Sequence, residues 1–174
     1  FSTIGGPSES ERNIFRASQI SLISSPETTV QGNYFGFYYS QGEINDSSEA
    51  QWVQLDSNEC TIGGATVAEG NVFGGGVSGV RTDPFTFFSD IIIANNTFGF
   101  QPGSSILTGK TLKYPIDLKS ETRNVLIKDN AIGKAIHGIS GDAAENLEIF
   151  GNFIGTAPNG GVLPGDDYLL EVGI

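Results

Sequence analysis

Few side chains in the sequence combine a reactive type with a spacing that could support catalysis. His137 is the only histidine, the side chain whose charge changes most readily near neutral pH. Lys128 and Asp129 are adjacent and could supply a general base and a metal ligand, although an in-strand ion pair or two solvated neighbours explains the same dipeptide. Asp166 and Asp167 place two carboxyl groups side by side. We keep His137, Lys128, Asp166 and Asp167 as alternative catalytic candidates, and favour a solvent-facing or coil-capping role for His137.

No cofactor site emerges from the composition. Acidic stretches at 43–49 and 56–59 could bind calcium adventitiously, but they lack the regular Gly/Asp nonapeptide of dedicated calcium-binding repeats. Cys60 is the only cysteine, which excludes an intrachain disulfide and argues against structural zinc. The sequence therefore predicts no cofactor.

Composition narrows the class of protein. The chain has 174 residues, 24 of them glycine, and a formal net charge of −11. Its nine Lys and Arg are scattered along the sequence, so a nucleic-acid partner is disfavoured. No stretch of 18 apolar residues is present, so we expect no membrane insertion. We expect a single domain over residues 1–174, poor in helix.

A short repeat organises the chain. The unit is Asn, any residue, Phe or Ile, and usually Gly, and it occurs six times. Its asparagines are Asn13, Asn33, Asn71, Asn96, Asn130 and Asn152. Apolar residues alternate with other residues before four of them, a period of two that predicts strands facing one interior. The predicted interior residues are Ile93, Phe98, Val125, Ile127, Ile132, Ile149 and Ile154.

The units pair into a longer period. Asn13, Asn71 and Asn130 are 58 and 59 residues apart, and Thr3-Ile4-Gly5-Gly6 recurs as Thr61-Ile62-Gly63-Gly64. This predicts three modules, approximately 1–58, 59–117 and 118–174. The third module departs, because residues 120–123 read Ser-Glu-Thr-Arg and Asn124 competes with Asn130 for the equivalent position.

Short strands and bends without helices between them predict a β-solenoid of about six coils. Asparagines at equivalent bends of stacked coils can bond to one another through their side-chain amides. We therefore interpret the six asparagines as a structural ladder.

The outward positions collect no carboxylate array. Counted two and four residues before each Asn, the two columns read Glu11, Gln31, Glu69, Ala94, Lys128, Phe150 and Glu9, Thr29, Val67, Ile92, Leu126, Glu148. Glycoside hydrolysis needs two carboxyl groups facing one groove, and lyases use an acidic calcium site with a base. This absence favours a protein that is not an enzyme.

The repeat wording resembles a known family. The segments 3–6, 11–15, 29–36, 151–156 and 160–166 resemble the right-handed parallel β-helix repeats of large secreted bacterial surface proteins, in the pectin-lyase-like superfamily. The resemblance covers almost the whole chain and is weakest at 102–118. It implies an extracellular or cell-surface location, and it implies a right-handed helix. His137-Gly138 resembles part of the Gly-His-Gly segment of pectin-type hydrolases, but residue 136 is Ile, and Asp166-Asp167 follows the histidine instead of preceding it.

The expected function is structural. Nothing in the sequence looks like a solenoid cap, and the repeat would continue almost in phase from Ile174 of one copy to Phe1 of the next. We therefore expect end-to-end self-association into a filament or adhesive array, and a segment cut from a longer array is the equal alternative. The expected contact residues are Phe1, Thr3, Ile4, Leu170, Val172 and Ile174.

The rival function is a polysaccharide lyase, glycoside hydrolase or glycan-binding module. Its partner would be an extracellular polysaccharide, and its groove would be lined by Phe37–Trp52, Arg81–Ser89 and Pro102–Pro115.

Overall fold

The fold is all-β. A computed structural model describes residues 1–47 and 52–161. Regular structure in these residues consists of strands and two 3₁₀ turns, Glu9–Glu11 and Val67–Glu69, with no α-helix. No helix suited to crossing a membrane is found in this part of the chain. The all-β prediction is confirmed.

Seventeen strands follow one another along the described residues. They are β1 Ser2–Ile4, β2 Ile14–Phe15, β3 Ile20–Ile23, β4 Thr28–Val30, β5 Tyr34–Phe35, β6 Phe37–Ser40, β7 Glu43–Asp46, β8 Val53–Asp56, β9 Thr61–Gly63, β10 Val72–Phe73, β11 Gly76–Thr82, β12 Phe88–Ala94, β13 Thr97–Phe98, β14 Leu112–Lys128, β15 Ala131–Ile132, β16 Ile139–Phe150 and β17 Phe153–Ile154.

The strands form three parallel ladders. The first runs β1-β4-β9-β12-β14-β16, the second β2-β5-β10-β13-β15-β17 and the third β3-β8-β11-β14-β16. The long strands β14 and β16 belong to two ladders, because their first halves pair in the third ladder and their second halves in the first. Only β6 and β7 pair antiparallel among the described strands, as a hairpin outside the ladders. Long parallel ladders of this kind are consistent with a β-solenoid.

Each strand of the second ladder begins immediately after one of the six repeat asparagines. We number the levels of the stack 1 to 6 by these strands, from β2 to β17. Phe15, Phe35, Phe73 and Phe98 stack face to face through levels 1 to 4, with ring centroids 4.7–4.8 Å apart. This distance equals the spacing of paired strands, so the rings stack without strain on the ladder.

The asparagines are joined by hydrogen bonds at the bend between the first and second ladders. Asn96 Oδ1 accepts bonds from the backbone N–H of Asn71 (3.0 Å) and from its Nδ2 (3.0 Å). Asn96 Nδ2 in turn donates to Asn130 Oδ1 (3.1 Å) and to the carbonyl of Ile62 (2.8 Å). The same pattern links all six levels, each asparagine donating to the one at the next level. The four inner asparagines are at most 1% exposed.

The modules differ by an insertion. Ile4 and Ile62 stand nine residues before their asparagines, whereas Val30, Ile93, Ile127 and Ile149 stand three before theirs. At levels 1 and 3 the extra residues form the 3₁₀ turns, each closed by a capping box, Ser8 with Glu11 and Thr66 with Glu69. Hydrogen bonds from Ser8 lower the pKa of Glu11. Level 5 has no insertion, which explains why the third module lacks the Thr-Ile-Gly-Gly segment.

The structure shows that Asn130, and not Asn124, occupies the ladder position of the third module. Asn130 joins the buried ladder, whereas Asn124 lies at an exposed bend with φ 52°. There it donates to Asp90 (3.0 Å) and accepts from Asn146 (3.1 Å), forming a short exposed polar row.

The core is close to the prediction. Ile93, Phe98, Val125, Ile127 and Ile132 are at most 1% exposed. Ile149 and Ile154 at level 6 are half-buried and pack against the core. Their exposure follows from position, since the described residues place a level on one side of them only.

The buried ladder predicts unequal effects along the stack. Asn96→Ala should lower the free energy of unfolding by about 3 kcal/mol or more, because both Asn71 donors lose a buried acceptor. Asn13→Ala, at the exposed end, removes one side-chain bond and should cost about 1 kcal/mol or less. Urea unfolding followed by circular dichroism measures both. Equal losses would contradict a ladder whose inner members matter most.

A second prediction concerns Gly64. A Cβ at this position would lie 2.5 Å from the Cβ of Glu69, so Gly64→Ala should destabilise the fold by about 1–3 kcal/mol through displacement of the 3₁₀ turn. Gly141→Ala is the matched control, because its nearest neighbour atoms lie 3.9 Å away and its change should stay within about 0.5 kcal/mol. Thermal unfolding of both variants is the measurement. An unchanged Gly64→Ala variant would show that the turn is not held by its glutamate.

Candidate functional site

His137 lies beside Tyr114 on the third ladder. The residues that flank them pair in register, Leu112 with Ala135 and Ile116 with Ile139. The two rings are stacked with centroids 4.6 Å apart and planes 3° from parallel. His137 is therefore a half-buried member of an aromatic stack.

Two lysines share the Tyr114 ring. Lys113 Nζ is 5.0 Å and Lys119 Nζ 5.4 Å from the ring centroid, both within range of a cation–π interaction. Lys119 Nζ also lies 3.3 Å from Asp117 Oδ2, and the Asp117 side chain is only 3% exposed. A buried carboxylate without a partner is costly, so this ammonium compensates the charge of Asp117.

Arg81 extends the same surface. Its register places it between Gln54 and Asp117, with Ser140 at the next level. The Arg81 guanidinium lies 5.7 Å from the Trp52 ring centroid. Among the described residues, neither Arg81 Nε nor Trp52 Nε1 has a hydrogen-bond partner, although both atoms are buried. We call Arg81, Lys113, Tyr114, Lys119 and His137 the basic face.

The basic face has chemistry suited to recognition of anions. It brings Arg81, Lys113 and Lys119 to one side of a chain whose net charge is −11, although Lys119 is paired with Asp117. Ammonium and guanidinium groups bind carboxylates or sulfates, while an aromatic ring packs against the C–H surface of a sugar. His137 is the side chain of the basic face suited to proton transfer. The neighbouring Asp117 carboxylate is paired with the Lys119 ammonium. The sequence did not reveal this cluster, since its members come together only through strand register.

The structure does not place Lys128 beside His137. Lys128 ends β14 in the first ladder, in register with Ala94 and Phe150. Asp129 follows at a bend with φ 55°. Asp166 and Asp167 lie outside the described residues, as do Leu170, Val172 and Ile174.

The two columns of outward residues counted back from each Asn are wrong at levels 1 and 3 of the stack. Glu9, Glu11, Val67 and Glu69 belong to the 3₁₀ turns and not to the ladder, because of the six-residue insertion. By strand register, the column that contains Thr29 is Thr3, Thr29, Thr61, Ile92, Leu126 and Glu148. It still contains one carboxylate.

The acidic segments are used to hold loops. Asp46 Oδ2 accepts a bond from the Gly109 N–H (2.8 Å), and Asn58 Oδ1 from the Ser89 N–H (2.9 Å). No group of three or more potential metal ligands is found within residues 1–47 and 52–161. Cys60 is fully buried in the core, and burial raises the pKa of its thiol.

The longer segments line separate grooves. Residues 101–105 border a groove of about 430 Å³ over the second ladder, floored by Tyr34 and Val72. Residues 84–87 border two smaller pockets beside Glu121. None of these three sites combines the segments that the enzyme hypothesis requires to share one groove.

Comparisons add no identity. No family model, no curated protein and no solved structure matches the chain. The resemblance to pectin-lyase-like repeats accordingly stays a prediction from the sequence.

Proposed function

We propose that this chain is a structural unit of an extracellular or cell-surface filament or adhesive array, built as a right-handed β-helix of six coils that stacks head-to-tail. The observation that carries the proposal is the polarity of the asparagine ladder. Between each pair of successive levels, the Asn Nδ2 of one level donates to the Asn Oδ1 of the next, and the reverse Asn-to-Asn bond is not found among the described residues. The two ends of such a stack are different and complementary.

The level 1 end offers an acceptor and a donor. None of the described residues donates to Asn13 Oδ1, whereas the equivalent oxygen of Asn33 accepts bonds from the Asn13 backbone (3.1 Å) and side chain (2.9 Å). In the second ladder, the Tyr34 N–H donates to the Asn13 carbonyl, and this pattern repeats up to level 6. By the same repetition, the Ile14 N–H faces outward from level 1.

The level 6 end offers the opposite groups. Asn130 at level 5 donates its backbone N–H and Nδ2 to Asn152, and its carbonyl accepts from Phe153. Asn152 repeats this geometry, so its N–H and carbonyl face onward from level 6. A second copy placed with its level 1 on this level 6 would continue both the ladder and the strands. This is a heterologous contact, which extends without closing.

The edge strands support the same arrangement. β1, β2 and β3 end their ladders at level 1, and each has one paired neighbour among the described strands. Ile14 is 39% exposed and Ile23 64%. Unpaired edges with apolar residues are templates for the addition of strands.

A second candidate function is a glycan-binding module, favoured by the basic face. Lys113 and the Tyr114–His137 stack fit an acidic polysaccharide segment, with a carboxylate on the Lys113 ammonium and a sugar ring against the aromatic pair. Filament assembly and glycan binding use different surfaces, so both can be tested on one protein.

The filament proposal predicts an effect of blocking level 1. The double variant Asn13→Ala with Ile14→Pro removes the outward acceptor and the outward N–H. It should raise the protein concentration needed for filaments by about tenfold or more. Val67→Pro, at the first position of the second 3₁₀ turn, is the control, because proline is tolerated there. Electron microscopy and sedimentation over a concentration series are the measurements. A wild-type chain that stays monomeric throughout, or a double variant that assembles normally, would refute the proposal.

The glycan candidate predicts a face-specific loss of binding. Pectin and alginate should bind the wild type, and Tyr114→Ala and Lys113→Gln should each weaken binding about fivefold. Lys128→Gln, on the first ladder, should not. Calorimetry with and without calcium measures the affinities. Equal weakening by Lys128→Gln would argue against the basic face, and release of unsaturated or reducing ends would identify an enzyme instead.

A further inference from the structure

The loop between β11 and β12 exposes two phenylalanines. Phe85 is 93% and Phe87 44% exposed, an unusual arrangement for neighbouring aromatic side chains on an acidic chain. Asp83 Oδ1 accepts a bond from the Phe85 N–H (2.8 Å), and Pro84 restricts the backbone between them. Local bonding therefore shapes the turn that carries Phe85 outward.

Phe87 already contacts a cation on one side. The Arg123 guanidinium lies 4.9 Å from the Phe87 ring centroid. Arg123 Nε also forms an ion pair of 2.6 Å with Glu145 Oε2. Ring, guanidinium and carboxylate together form a complete site for a basic side chain, occupied by the chain's own arginine.

A second pocket has the same aromatic and carboxylate groups but no arginine or lysine of its own among the described residues. One pocket of about 300 Å³ is lined by Phe87, Glu121, Arg123 and Glu145, and an adjacent one of about 260 Å³ by Phe85, Phe87 and Glu121. Phe87 and Glu121 line both pockets. The second therefore has two rings and a carboxylate, and its described lining includes no basic residue.

We propose that the Phe85–Phe87 loop and Glu121 bind an arginine or lysine side chain of a basic protein segment. The ring faces supply cation–π contacts and Glu121 the ion pair, as Phe87 and Glu145 do for Arg123. The net charge of −11 favours the approach of a basic partner from a distance. This surface is separate from the level 1 and level 6 ends, so the proposal goes beyond the proposed function.

The probe is a fluorescein-labelled Gly-Arg-Gly-Arg-Gly peptide, with a citrulline analogue that keeps the shape and removes the charge. Wild-type protein should bind the arginine peptide and lose it as salt increases. Phe85→Ala and Glu121→Gln should each weaken binding by about two- to fivefold, the range of an exposed cation–π or ion-pair contact. Because both side chains are exposed, we expect both variants to fold, which circular dichroism verifies.

The matched controls are Phe150→Ala and Glu148→Gln, an exposed phenylalanine and glutamate on the first ladder. They should bind the peptide as the wild type does. Binding of the citrulline peptide with equal affinity, equal weakening by the control variants, or no binding at all would overturn the proposal. A maltooligosaccharide that binds in place of the peptide and is lost with Phe85→Ala would overturn it in favour of a sugar platform.

Discussion

The buried asparagine ladder is the interaction on which the rest of the structure depends. Each inner Asn engages its amide oxygen with two donors from the level before and its amide nitrogen with carbonyl groups at the bend. An amide buried at this position without those partners would be costly, so successive levels can stack in one register only. That register then places phenylalanine on phenylalanine and isoleucine on isoleucine in the core.

The direction of the ladder gives the molecule a polarity that its core lacks. Stacked phenylalanine rings are the same from above and below, and apolar burial has no direction. The Asn-to-Asn bonds do have a direction, because in each pair the donor belongs to one level and the Oδ1 acceptor to the next level toward level 6. A head-to-tail contact would pair Asn13 Oδ1 of one copy with the Asn152 donors of the next, as between levels, whereas a two-fold symmetric contact cannot repeat that bond. The hydrogen bonds of the core therefore bear on the proposed assembly as well as on folding.

The sequence predicted the parts of the fold that repeat locally. Asn, Phe and the alternating isoleucines recur at short spacing, and the role of each can be inferred from the pattern of its own segment. The 3₁₀ turns were missed, although Ser8 with Glu11 and Thr66 with Glu69 carry the capping-box pattern, because the columns were counted back from Asn as if every level had equal length. The sequence pattern alone could not decide whether Asn124 or Asn130 belongs to the asparagine ladder. The two residues lie at different bends, and these depend on how β14 crosses from the third ladder to the first. The Tyr114–His137 stack was beyond reach for the same reason.

The outer surface is where the levels stop being equivalent. In the interior, each level must match the asparagine, phenylalanine and isoleucine positions of the levels next to it, so the stack limits which residues can be substituted there. Outside, the third ladder carries Lys113, Lys119 and His137, while the bend leading into the first ladder carries Phe85, Phe87 and Glu121. The net charge of −11 averages a basic face against acidic ones, so it does not describe any one surface. A scaffold fixed by its own interior can present several surfaces of different charge. The recognition sites proposed for this chain therefore lie across pairs of levels and not in the repeat itself.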